Sequence, residues 1–166
     1  MKHLFLVRHA KSSWDLSGFP DIDRPLNERG YRDSHRVGKY FSENTEHKPD
    51  MVLCSPAIRT YTTALIFLHY LKFPVEQIVL AKSLYESGLQ DYISTIADAS
   101  DKKNILILFG HNPTISELVN HLTGKSGDDL GTCHVATLSL SISSWKKIGA
   151  DCGQLENIID PKDLEE

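Results

Sequence analysis

Four apolar residues, Leu4-Phe5-Leu6-Val7, run straight into Arg8-His9. That junction constrains the fold of this chain more than any other feature. A short, fully apolar run reads as a strand buried on both faces of a parallel sheet. In open α/β sheets, ligands bind just beyond the carboxyl ends of such strands. A guanidinium and an imidazole released at that point are placed to meet an anion and to attack it.

Two later segments repeat the order of apolar strand, polar residues and helix. Met51-Val52-Leu53-Cys54 leads into Ser55-Pro56-Ala57-Ile58-Arg59-Thr60, and Ile105-Leu106-Ile107-Leu108-Phe109 leads into Gly110-His111-Asn112-Pro113. In each, a capping residue (Ser55, Asn112) precedes a proline. That proline suits the first helical position, where a missing N–H costs nothing. Each helix would then turn its free N–H groups and positive dipole end toward the strand mouth, where an anion can bind. Arg59 falls in the first helical turn, where a cation opposes the helix dipole; an anion bound there would offset that cost. His111 sits at a strand exit. Three strand ends thus offer two arginines and two histidines.

Strand and helix alternate along the chain, which implies a mainly parallel sheet covered on both faces, a three-layer αβα sandwich. The pattern predicts a polar loop over Lys11–Asn27 and a helix over about Glu28–Glu43 with Val37, Tyr40 and Phe41 facing inward. It then predicts a helix over Pro56–Leu71, a short strand over Gln77–Ala81, and a helix over Leu89–Ala99. A further helix is expected over Pro113–Leu122 and a β-branched strand over His134–Ile142. After a turn at Trp145-Lys146-Lys147, a last strand near Leu155–Ile159 should pair antiparallel, so the sheet is mixed with an antiparallel edge. The acidic tail after Asp160 is expected to fray.

Composition closes several other possibilities. With 166 residues, 40% of them hydrophobic, one domain over residues 1–166 with a single sizeable core is expected. The formal net charge of −4 argues against a general nucleic-acid binder, which would be basic. No segment approaches the roughly 20 apolar residues of a membrane span. The first apolar run is too short for a signal peptide and is followed by Arg8 and Lys11. Cys54, Cys133 and Cys152 are odd in number and lack metal-ligand spacing, so cytoplasmic thiols are the expectation, with Cys54 a small core residue.

Together, Arg8-His9-Ala10, Ser55-Pro56-Ala57-Ile58-Arg59-Thr60 with Thr63-Ala64, and Gly110-His111 resemble the histidine phosphatase superfamily, the phosphoglycerate mutase-like fold. Within it, Arg8-His9-Ala10-Lys11-Ser12, Asp23-Arg24-Pro25-Leu26-Asn27-Glu28-Arg29-Gly30 and Pro161-Lys162-Asp163-Leu164 look like the short phosphohistidine phosphatases. The resemblance implies a phosphatase that works through a phosphohistidine, with His9 as nucleophile and no metal or organic cofactor. Neutral His9 would attack phosphorus through one ring nitrogen while an acceptor holds its other N–H. Flanking arginines should lower its pKa. Arg8 and Arg59 would grip the phosphoryl oxygens, and His111 would donate to them. Glu86, in Leu84-Tyr85-Glu86-Ser87-Gly88, is the candidate acid for the leaving group, with a solvated loop carboxylate as the competing reading.

Ser12 could donate to phosphate and Lys11 could steer an anion, though both also read as solvated loop residues. Asp15 stands where many mutase-like relatives carry a phosphoryl-binding asparagine. A carboxylate there would repel a dianion, so it is not assigned to phosphate. Ala10 replaces the superfamily's glycine, which requires that the backbone there avoid positive φ. His3, His35, His47, His69, His121 and His134 lack comparable context and are expected to be structural or solvent-exposed. The stretch from Arg59 to Gly110 is too short for the helical lid of larger members. The expected substrate is therefore phosphohistidine on a partner protein, with a small phosphoester (a sugar or nucleotide phosphate) as the alternative. Mutase chemistry, which wants a closed pocket, ranks lower. A catalytically idle phosphate-binding scaffold is the reading from another class. Phosphate or sulfate is expected to occupy the site.

Overall fold

The computed structural model describes residues 1–15 and 17–165. Leu16, within the expected loop, and Glu166, at the end of the expected tail, lie outside the described residues. The strands are β1 (Lys2–Arg8), β2 (Met51–Cys54), β3 (Val79–Leu80), β4 (Ile105–Gly110), β5 (Val135–Leu140) and β6 (Gly153–Ile159). The helices are α1 (Glu28–Asn44), α2 (Ile58–Leu71), α3 (Leu89–Ala97) and α4 (Thr114–Thr123). The strands form one sheet in the order β3-β2-β4-β1-β5-β6. Pairs β1–β4, β2–β4 and β2–β3 are parallel, whereas β5 runs antiparallel to both β1 and β6. The result is a mixed α/β sheet with an antiparallel edge, as the sequence pattern predicts.

Alternation along β1 builds two cores at once, because successive side chains leave a strand on opposite faces. Leu4 and Leu6 pack with Tyr92, Ile96, Ile115, Leu118 and Leu122 from α3 and α4. Phe5 and Val7 pack with Val37, Phe41, Ala64, Phe67 and Leu68 from α1 and α2. Helices therefore cover both faces. Phe67 is fully buried, with Phe41 and Phe109 at ring distances of 6.3 and 5.4 Å. Truncating it to alanine should cost about 3–5 kcal/mol.

The element that matters most for function is the β1–β4 pair. Arg8 lies opposite Gly110 in parallel register, so His9 and His111 leave the sheet side by side. Gly110 is required there by space, since a Cβ would come within 2.7 Å of the Tyr92 hydroxyl. That hydroxyl accepts from the His111 N–H at 3.0 Å and donates to the Leu84 carbonyl at 2.9 Å. Gly30 makes a second close approach, its Cα facing the Lys11 carbonyl where a Cβ would be only 2.0 Å away. Asn27 caps α1 by accepting from the Gly30 N–H at 2.8 Å, and this ties the first loop to the helix.

Several expectations need correction. The helix expected from Pro56 starts at Ile58, and Ala57 is its cap without a side-chain bond. Ser55 Oγ accepts from the Ala57 N–H at 3.3 Å, before the helix begins, and also lies 2.7 Å from His111 Nε2. Likewise α4 starts at Thr114: Asn112 Oδ1, the atom that would cap, accepts from Ser116 Oγ at 2.7 Å, while its amide donates to Asp129 and the Leu130 carbonyl. Tyr40 is 41% exposed rather than inward. The buried positions of α1 are Gly30, Asp33, Ser34, Val37, Gly38 and Phe41, and Gly38 brings the helix close to Phe67 of α2. The third strand has two residues, and α3 ends at Ala97, two residues early.

The tail after Asp160 does not fray through its described residues. Pro161–Asp163 forms a 3-10 turn with Pro161 buried, and Arg36 donates to the carbonyls of Pro161 and Leu164 at 3.1 and 2.6 Å. Cys54, Cys133 and Cys152 are free thiols, and burial raises the pKa of both Cys54 and Cys133. Among the described residues no helix is long and apolar enough to cross a membrane.

Candidate active site

The carboxyl ends of β1 and β4 open into a cleft of about 290 Å³, lined among others by Arg8, His9, Ser12, Arg59, Glu86 and His111. All six residues singled out from the sequence thus meet in one place. A larger cavity of about 410 Å³ lies near the end of α1, lined by Tyr40, Asn44, His47 and Glu156, with no arginine on its wall. A third cavity, of about 300 Å³, carries Arg29, Arg32 and Arg36 but no histidine, so the pairing of arginines with His9 and His111 distinguishes the cleft.

His9 is 8% exposed, and its Nδ1 lies 2.8 Å from the Ala10 carbonyl oxygen. A carbonyl can only accept, so Nδ1 carries the proton and Nε2 keeps its lone pair. The pKa of His9 is lowered to about 3, first by burial and then by His111, Arg59 and Arg8. The arginines contribute as expected, but burial is the larger cause. Ala10 is fully buried and is not among the residues with positive φ, so the missing glycine costs nothing. Its N–H donates to Thr63 Oγ1 at 3.1 Å.

Two arginines close the floor. Arg8 Nη1 donates to the Leu130 carbonyl at 3.0 Å. Arg59, in the first turn of α2, donates from Nη1 to the Asp21 carbonyl at 2.8 Å and from Nη2 to Asp21 Oδ2 at 3.1 Å. The Nε atoms of Arg8 and Arg59 are buried with no acceptor among the described residues. Leaving such donors unpaired is costly, and an anion in the cleft is the kind of group that would satisfy them.

His111 stands beside His9 with ring centroids 5.3 Å apart. Its pKa is lowered to about 4, by burial first and Arg59 second. Nε2 lies 2.7 Å from Ser55 Oγ, and Nδ1 lies 3.4 Å from Arg59 Nη2. Ser55 Oγ also accepts from the Ala57 N–H at 3.3 Å. Arg59 can only donate, so Nδ1 accepts from it and neutral His111 carries its proton on Nε2, donated to Ser55 Oγ.

Glu86 reaches the rim of the cleft from an exposed loop, with its backbone in the left-handed region at φ 50°. Ser12 is buried, and its hydroxyl oxygen accepts from Arg24 Nη1. Lys11 also lines the cleft. Asp15 is exposed and is not part of the cleft lining.

Sequence reasoning missed Asp21, Arg24, Tyr85 and Ser55 as site residues. Asp21 Oδ1 accepts from Arg24 Nε and Nη2, each at 3.2 Å. Its Oδ2 accepts from Arg59 and, at 2.6 Å, from the Tyr85 hydroxyl. The Tyr85 bond, ahead of the arginines, lowers the Asp21 pKa to about 2. Trp14, on the rim, lies over the Arg24 guanidinium at 3.6 Å. The signal for Arg24 was present in Asp23-Arg24-Pro25-Leu26-Asn27, a block read only as a mark of kinship. Asp21 had no signal, because an aspartate in a polar loop resembles any other.

A mixed α/β sheet that delivers two arginines and two histidines into one cleft defines a protein built to handle phosphoryl groups. The sequence profile of the histidine phosphatase superfamily (branch 1) matches residues 4–92, and the chain belongs to that family, a phosphatase-type hydrolase. An uncharacterized protein of Mycobacterium tuberculosis is 35% identical over 124 residues, covering 74% of this chain and 73% of that one. A SixA chain of Agrobacterium tumefaciens, named a candidate phosphohistidine phosphatase, superposes with a TM-score of 0.81 at 25% identity, covering 96% and 98% of the two chains. The protein histidine phosphatase SixA complexed with tungstate gives the same TM-score of 0.81 at 18% identity, over 96% and 97%.

Proposed function

We propose that the protein removes the phosphoryl group from phosphohistidine on a partner protein, through a phosphohistidine formed at His9. The observation that carries this reading is the His9 Nδ1 contact with the Ala10 carbonyl at 2.8 Å. It leaves Nε2 as an unprotonated nucleophile in a cleft floored by Arg8, Arg59 and His111. In the first displacement the bond from His9 Nε2 to phosphorus forms and the phosphorus–nitrogen bond of the substrate breaks. The departing imidazole ends neutral after taking up a proton. In the second, water attacks phosphorus in line, His9 leaves as neutral imidazole, and inorganic phosphate and a proton are released. Arg8 and Arg59 bind the equatorial oxygens, where preorganised donors carry most of the catalysis, and His111 donates to them once its Nδ1, which accepts from Arg59 in the free cleft, takes up a proton. Ser12, with its oxygen already accepting from Arg24, can point its own proton toward the same group.

The choice of substrate rests on what surrounds the cleft. Between α2 and β4 the chain makes short 3-10 turns, the two-residue β3 and the nine-residue α3. Nothing there has the size of a helical lid, so a phosphorylated side chain on a protein surface can enter. Glu86 on the rim favours the second reading, a small phosphoester whose alkoxide needs a proton. The whole chain acts as one phosphatase domain over residues 1–166, in the cytoplasm, without a metal. The test is a turnover panel of a phosphohistidine protein, a phosphohistidine peptide and small monoesters, with and without chelator. Preferred hydrolysis of phosphohistidine, unaffected by chelator, is expected. Preference for a monoester would transfer the assignment to small esters, and no turnover of any substrate would favour an idle phosphate-binding domain.

A further inference from the structure

Segment 17–23 reaches the cleft without an apolar anchor: among its described residues only Ile22 is even half-buried. It is held there by Asp21. That carboxylate takes donors from Arg24, Arg59 and Tyr85, and the Asp21 carbonyl takes one more from Arg59. Both terminal nitrogens of Arg59 are thereby engaged with one loop residue. The arginine side chains belong to the body of the protein, being only 7% (Arg59) and 9% (Arg24) exposed, whereas Asp21 comes from outside at 41%. Arg24 also donates to Ser12 Oγ and to the Ser13 carbonyl, and Arg59 lies beside His111. Both cations keep other neighbours if Asp21 leaves.

We propose that Asp21 is a resident anion of the phosphoryl site, and that substrate binds by exchanging with it and releasing segment 17–23 from the arginines. This rests on the reading above that the phosphoryl group binds at Arg8 and Arg59. With Asp21 in place, Arg24 and Arg59 are engaged with its carboxylate, while Arg8 in the same cleft donates only to the Leu130 carbonyl. A ligand must outcompete that carboxylate, which favours a doubly charged phosphoryl group over a singly charged carboxylate of similar size. Asp21 is thus a specificity-determining residue that works through competition for donors.

The distinguishing measurement is amide hydrogen exchange on the intact chain with and without inorganic phosphate. The amides of Asp23 and Arg24 donate to the Pro20 and Asp21 carbonyls at 3.0 and 3.1 Å, so they report the state of the segment. Phosphate should speed their exchange in the wild type, the reverse of ordinary ligand protection. In Asp21→Asn they should already exchange fast without phosphate. Calorimetry should show Asp21→Asn binding phosphate roughly tenfold tighter, the size of one charge-assisted hydrogen bond released from competition. Tyr85→Phe, which removes one donor from Asp21 and leaves both arginines, should move both readouts the same way by less. Slower exchange on adding phosphate, or weaker phosphate binding by Asp21→Asn, would overturn the proposal and make Asp21 a positioning residue for Arg59. Failure of phosphate to bind wild type and variants alike would instead remove the anion site itself.

Discussion

The floor and the roof of the cleft are built differently. The floor consists of strand ends and a first helical turn: Arg8 and His9 after β1, His111 after β4, Arg59 at the start of α2. These side chains are fixed by the register of Arg8 against Gly110 and by the two cores that clamp β1. The roof consists of segment 17–23, exposed and held by polar contacts, and residues 85–88, which follow the buried Leu84; they bring Asp21, Tyr85 and Glu86 over the cleft. A floor held by apolar burial can store unsatisfied donors and a depressed histidine pKa, because the sheet supplies the stability. Segment 17–23, held by the ion pairs of Asp21, can give way to a competing anion. Chemistry should therefore belong to the floor and substrate choice to the roof.

The largest expected effect lies on the floor. His9→Ala should abolish turnover of every substrate while the protein still folds, since the side chain sits at the end of the core rather than within it. Wild type quenched during turnover should carry an acid-labile, alkali-stable phosphoryl group, absent from the variant. Normal activity in His9→Ala would end the covalent mechanism. Next come the arginines. Arg59→Lys keeps the charge but loses the planar fork, and should cost on the order of 100–1,000-fold in kcat/KM. Arg8→Lys should behave alike. A loss confined to one substrate class would show that the arginines belong with the roof, and the proposed division would fail.

How much of this could be read from the sequence follows the same division. The floor was legible because periodicity and apolar runs locate strand ends, and chemistry-bearing residues stand at those ends in Arg8-His9, Ser55–Arg59 and Gly110-His111. The register that aligns His9 with His111 was not legible, since it depends on β4 inserting between β1 and β2. The caps expected at Ser55 and Asn112 are not formed as such because a local rule cannot see that His111 lies on Ser55 Oγ, or that Ser116 Oγ takes Asn112 Oδ1 while Asp129 and Leu130 hold its amide. Tyr40 stands exposed where an inward residue is expected, because Gly38, two residues earlier, gives no hydrophobic signal while making the contact with Phe67. On the roof, Asp21 and Tyr85 act through partners far along the chain, and periodicity carries no information about such pairs.

Buried histidines on the floor also set a pH dependence of stability. His9 and His111 have folded-state pKa values of about 3 and about 4, below the roughly 6.5 of an unfolded histidine. Above pH 6.5 both states are neutral at these residues and nothing changes. As pH falls below 6.5 the unfolded chain takes up protons that the folded chain refuses. Stability should then drop by about 1.4 kcal/mol per pH unit for each histidine, until pH nears the folded values. Denaturant titrations between pH 6.5 and 5, above most carboxylate titration, should show this slope. It should be reduced in His9→Asn and in His111→Asn. An unchanged slope in both variants would mean the floor is open to water, contrary to its burial.

On phosphohistidine, the smallest effect should come from the roof, at Glu86. An alkoxide leaving from a monoester is strongly basic and needs a proton in the transition state, whereas the imidazole leaving from phosphohistidine is far less basic. If Glu86 supplies that proton, Glu86→Gln should slow monoester hydrolysis by roughly 100-fold or more and phosphohistidine hydrolysis by only a few-fold. The quantity to measure is the ratio of the two losses in one purified variant, which cancels any shared effect on folding or on the floor. Its exposed position and left-handed backbone on the rim allow the loop to bring the carboxylate inward or leave it in water. Equal and small losses would reduce Glu86 to a solvated residue. In that case the cleft has no acid of its own for an ester, and the substrate that needs none becomes the better match to its geometry.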